Sequence, residues 1–111
     1  MSLRWEAPFD PNEVKDYGLD FTSEMDFPGN LTTATDSISS VTYTIAASAT
    51  EYLAVASATN VNAVTVGWFS AVSATALQAN LAGQTVDVTI AVTTAGGRTL
   101  SRTAGLRIKN L

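Results

Sequence analysis

Strict alternation of apolar and polar side chains dominates the C-terminal third of the sequence and leaves little choice of backbone. Val86, Val88, Ile90 and Val92 alternate with Asp87, Thr89, Ala91 and Thr93. A period of two places successive side chains on opposite faces of an extended chain. The same alternation recurs in Val41, Tyr43 and Ile45 against Thr42 and Thr44, and in Val64, Val66 and Trp68 against Thr65 and Gly67. Each run reads as a strand with one buried face, and Trp68 reads as the central core residue. Ala95-Gly96-Gly97 supplies the positive φ of a tight reversal, so the strand before it returns as 98–109. There Leu100, Ala104, Leu106 and Ile108 share one parity. Arg102 has the same parity and is expected inward, accommodated by a β-bulge near Gly105 or an edge position.

Ala, Thr, Ser and Val together make up 53 of the 111 residues. Thr and Val are branched at Cβ and suit a pleated surface; Ala alone would favour helix, and the periodicity decides against it. Strands are expected at 16–23, 37–46, 51–57, 61–70, 84–94 and 98–109. A helical turn is expected at Ser73–Leu81 with Gly83 as its stop, and a shorter one from Asp10-Pro11 through Val14. Short strands with turns at roughly ten-residue spacing predict an all-β, immunoglobulin-like two-sheet β-sandwich of six or seven antiparallel strands. We divide the chain into an acidic N-terminal arm, 1–15, and a sandwich domain, 16–111.

Cysteine and histidine are both absent, which removes disulfides, thiolate zinc sites, a catalytic thiol and the commonest general base. Residues 1–36 hold eight acids and two bases, whereas 37–111 hold two acids and four bases, Arg98, Arg102, Arg107 and Lys109. The net charge of −4 argues against nucleic acid. It leaves two readings of the acidic end: a solvated surface, or a complement to the basic end of a neighbouring copy. No uninterrupted apolar run is long enough to span a bilayer, and the opening Met-Ser-Leu-Arg-Trp-Glu lacks the apolar core of a secretory signal. Paired carboxylates for glycoside hydrolysis would need a raised pKa that exposed acids do not acquire. Asp10, Asn12, Glu13 and Asp16 offer hard oxygen ligands but lack the glycine and twelfth-position Glu of an EF-hand. Most of the nine aromatics follow strand parity and read as core. Trp5, Phe9 and one of Trp68 or Phe69 remain as candidate surface rings for a glycan shelf, with packing of Trp5 and Phe9 on the domain or on a partner as the other reading.

The run Asp10-Pro11-Asn12-Glu13-Val14-Lys15-Asp16-Tyr17-Gly18-Leu19-Asp20-Phe21 resembles a motif of small tailed-phage and prophage virion proteins. It reads Asp-Pro-x-x-Val-x-Asp-Tyr-x-x-Asp-aromatic, ahead of an immunoglobulin-like domain; the family usually has Trp where this chain has Phe21. Val88 to Thr99, followed by Arg107-Ile108-Lys109, is similar to that family's closing hairpin. The resemblance implies a structural subunit of fibre-to-tail adaptor type, without catalytic residues, cofactor or metal. Its partners are then other phage structural proteins and a second copy of itself, with neither nucleic acid nor membrane. It would be found in the host cytoplasm during assembly and then in the virion. Asp10, Pro11, Asp16, Tyr17, Asp20 and Phe21 become the expected partner-binding residues, with Tyr17 and Phe21 as aromatic anchors beside a sheet edge. Deletion of 1–22 is then expected to leave a folded core. A glycan- or host-surface-binding module remains the alternative.

Overall fold

The structure is a computed structural model that describes residues 3–22 and 36–110. Glu24, Asp26, Phe27 and the end of the strand expected at 16–23 lie outside the described residues. The chain is mostly β and builds an all-β sandwich. Among the described residues its strands are β1 (Leu3–Arg4), β2 (Lys15–Asp20), β3 (Ile38–Ile45), β4 (Leu53–Val61), β5 (Val64–Ala71), β6 (Thr85–Thr94) and β7 (Thr99–Arg107), with a 3-10 turn at Ala47–Ala49 and an α-helix, α1 (Ala74–Leu81), between β5 and β6. One sheet runs β1-β7-β6-β3 and the other β2-β5-β4.

The β6–β7 hairpin forms as the alternation dictates. Val88, Ile90 and Val92 are fully or almost fully buried, as are Ala104, Leu106 and Ile108. The turn closes through Thr94 N–H to the Arg98 carbonyl at 2.9 Å, with Gly97 at φ 88°. Pairing from Thr85↔Arg107 to Thr93↔Thr99 is uninterrupted, so the bulge expected near Gly105 is absent. Irregularities fall instead in β3, between Ile38 and Ser40, and in β4, between Val55 and Ser57. Arg102 does keep the inner parity, opposite Ile90. Its guanidinium reaches to 5.9 Å from the Phe21 ring centre, and Nη1 donates to the Ser101 carbonyl. A partly exposed cation over an aromatic face explains its tolerance without a backbone defect.

β5 departs from the expected parity. Thr65, Gly67 and Phe69 point inward, and Trp68 is 40% exposed. Phe69, fully buried, takes the central place expected of Trp68. The cause lies across the core: the Tyr43 ring rests on Gly67, where any Cβ would come within 2.5 Å of it. The Tyr43 hydroxyl meets Thr65 Oγ1 at 2.8 Å. The β4–β5 turn also comes later than expected, at Asn62-Ala63, where Asn62 accepts φ 55°, a conformation Asn tolerates better than most residues.

The N-terminal segment lies along β7. β1 runs parallel to β7, Trp5 N–H donates to the Gly105 carbonyl, and Phe9 bridges Ile108. Phe9 N–H donates to the Arg107 carbonyl at 2.7 Å, and Lys109 N–H to the Phe9 carbonyl at 2.8 Å. Phe9, a candidate surface ring, is fully buried. The Asp10-Pro11 start forms a turn rather than a helix: Asp10 Oδ1 accepts Asn12 N–H, and its carbonyl accepts Glu13 N–H. α1 begins at Ser73, whose Oγ accepts Ala76 N–H, and Leu77 is its buried residue. Gly83, at φ 77°, follows its end.

Candidate protein-docking surface

β2 is an edge strand, paired on one side with β5. Its alternation sorts the expected partner-binding residues into two sets. Tyr17 and Phe21 point inward and are buried, as is Pro11. Asp16 and Asp20 point outward and are exposed; Asp10 lies in the preceding turn, partly exposed. The side chains of Tyr17 and Phe21 are therefore committed to the chain's own core rather than free as anchors.

Four rings from four segments meet behind β2. Trp5 lies 5.1 Å from Tyr17, 6.4 Å from Tyr43 in a stacked arrangement, and 6.0 Å from Phe69. Tyr17 and Tyr43 each meet Phe69 edge-on at about 6 Å. Trp5 Nε1–H donates to the Gly18 carbonyl at 2.9 Å, which ties the N-terminal segment to β2. Lys15 Nζ sits 5.7 Å from the Tyr17 ring centre. The Tyr17 hydroxyl is buried without a hydrogen-bond partner. Burial, then the charges of Glu13 and Asp16, push its pKa up to about 12, so it stays a neutral phenol. These rings form a packed cluster; of the three candidate shelf positions, only the one at Trp68 is open, and no glycan shelf assembles.

Among the outward acids, Asp20 is held by Thr22, whose N–H and hydroxyl both donate to Oδ1. The side-chain bond first, then the backbone bond, lower its pKa, so β2 keeps a fixed anionic point. Asp36 is the acid the sequence did not single out. It is buried before β3, where it accepts Ser37 N–H at 2.9 Å, Gly96 N–H at 2.8 Å and Arg98 Nε at 3.1 Å. Asp36–Arg98 thus clasps the β6–β7 turn to the start of β3. Its only sequence signals were an acid just before a strand and a base just after a Gly-Gly turn.

No group of three or more Asp, Glu, His or Cys side chains that could hold a metal occurs among the described residues. A shallow groove of about 380 Å³ runs between the Asp10–Glu13 turn and α1. Asn12, Ala74, Thr75, Gln78 and Ala79 line it, none of them ionisable. No described helix is long and apolar enough to cross a membrane. Among the described residues, the edge of the β2-β5-β4 sheet carries the exposed Asp16 and Asp20 in front of a packed core.

The family model for the podophage GP4 fiber-tail adaptor protein gp77 matches residues 10–107, from the Asp-Pro turn to the end of β7. No curated protein and no solved structure matches the chain.

Proposed function

Because the chain belongs to the family of the podophage GP4 fiber-tail adaptor protein gp77, we propose that it is a non-enzymatic virion subunit that links fibre to tail. The observation that carries this is the extent of the match, which takes in β2 to β7 and the acidic turn before them. A packed sandwich whose outward carboxylates stand on a strand edge supports a role in holding rather than transforming. In this reading Asp10, Asp16 and Asp20 face the partner. Pro11, Tyr17 and Phe21 act from inside by fixing where β2 lies. Assembly in the host cytoplasm precedes incorporation into the particle.

Deleting the coding sequence from the phage that carries it tests the proposal. Cryo-electron microscopy of the resulting particles should show tails that have lost their fibres, with fibres restored when the chain is supplied from a plasmid. Particles with a full set of fibres would refute it.

A further inference from the structure

The two outer faces of the sandwich share a geometry and differ in chemistry. On the β1-β7-β6-β3 sheet, cross-strand neighbours on the outer face run Thr42–Ala91–Ser101, Thr44–Thr89–Thr103 and Ser40–Thr93–Thr99. Nothing larger than Thr stands in those rows, and towards β1 the face continues through Thr85–Arg107 and Asp87–Gly105–Arg4, charged rather than apolar, as expected of a face turned to water.

The β2-β5-β4 sheet reads otherwise. Its rows are Asp16–Trp68–Ser57, Gly18–Val66–Thr59 and Asp20–Val64–Val61. Strands about 4.8 Å apart bring these side chains into one patch. An apolar column on β5 is flanked by carboxylates on β2 and by Ser57, Thr59 and Val61 on β4. Trp68 is 40% exposed, Val64 39% and Val61 65%. Asp16 and Asp20 are the only ionisable residues in these rows, and both are acids.

We infer that the outer face of the β2-β5-β4 sheet is a protein-docking surface, anchored on Trp68 and rimmed by Asp16 and Asp20. Its occupant is a different virion protein that presents an apolar cleft edged by Lys or Arg. The inference rests on the adaptor reading and adds to it a face and a partner chemistry. Trp is among the residues that most often dominate binding energy, when it fills a pocket ringed by polar contacts. Carboxylates beside such an anchor select a cationic rim and speed encounter. A second copy fits less well. The opposite outer face does carry bases at its β1 end, Arg107 opposite Thr85 and Arg4 beside Gly105. Asp87 shares Arg4's row, however, and among the described residues no apolar cleft stands there to take Trp68. The groove beside α1 has no base in its lining.

The full chain, immobilised, is titrated by interferometry with two probes purified from the phage that encodes it: isolated fibres and fibreless tails. Trp68→Ala should weaken binding to one of them by about thirtyfold, the loss typical of a central Trp. Val64→Lys, which sets a positive charge on the same exposed face, should weaken it too. Asp16→Asn with Asp20→Asn should weaken it severalfold and flatten its dependence on salt. Thr103→Glu, on the opposite face, should bind as the unaltered chain does, and circular dichroism should find all four variants folded. Unchanged binding of folded Trp68→Ala and Val64→Lys overturns this face while the adaptor role stands. Loss of self-association on light scattering, with fibre and tail binding intact, overturns it in favour of a second copy. An unaltered chain that binds neither fibre nor tail brings down the adaptor reading and this inference together.

Discussion

Thr65 keeps its hydroxyl inside the protein, fully buried on β5. It meets Tyr43 Oη at 2.8 Å and lies within 3.4 Å of both backbone polar atoms of Leu19. Tyr43 in turn donates to the Tyr17 carbonyl. Leaving a buried hydroxyl unbonded costs about 1–3 kcal/mol, so this bonded pair favours the side of β5 that faces in. Asp36 does the same for the β6–β7 turn. Burial alone would raise its pKa, but hydrogen bonds from Thr94, Ser37 N–H, Gly96 N–H and Arg98 outweigh that and hold it at about 2. A folded pKa below the unfolded one adds stability above the ordinary carboxylate range, and that stability is lost as pH falls through about 2. Asp36→Asn should therefore lower the melting temperature at neutral pH. The gap from the unaltered protein should close as pH approaches about 2, as a series of thermal melts would record.

Among the elements, the segment that carries β1 and Phe9 differs most from its expected form. Read by charge, residues 1–15 make an acidic arm; in the fold Leu3 to Trp5 lie along β7 and Phe9 places a fully buried ring in the core. Phe9→Ala should cost about 3–5 kcal/mol of stability, the range for emptying a buried aromatic site, measurable by urea denaturation. Removal of 1–22 takes away β2, Phe9, Tyr17 and Phe21 together, so it is expected to unfold the domain rather than leave a core. The β6–β7 hairpin and α1 were legible beforehand, because alternation, a Gly-Gly turn and a Ser cap act within a few residues. β5 was not, because Val64, Val66 and Trp68 on one parity compete with Phe69 on the other, and hydrophobicity alone favours the wrong side.

For the molecule as a whole, the charge imbalance seen in the sequence becomes spatial. Asp10, Asp16 and Asp20 lie at or beside the edge strand β2, while Arg4 and Arg107 are exposed on β1 and β7 of the other sheet. Neutralising Asp10, Asp16 and Asp20 together as Asn should slow association with the virion partner by about tenfold at low salt, with little effect on dissociation. That is the pattern of steering by exposed charge, and stopped-flow mixing over a range of salt concentrations would resolve it.

By itself the sequence determined the β class, the closing hairpin, the capped helix and the acidic run of β2. Each of these follows from side-chain spacing and turn chemistry within a short window. Tertiary structure alone decided that Trp68 faces out and Phe69 in, that the Tyr43 ring rests on Gly67, and that Asp36 pairs with Arg98. Those outcomes turn on contacts between residues 22 to 62 positions apart: a ring resting on a glycine across the core, and a carboxylate meeting a guanidinium after the chain has turned back on itself. No local pattern records such meetings.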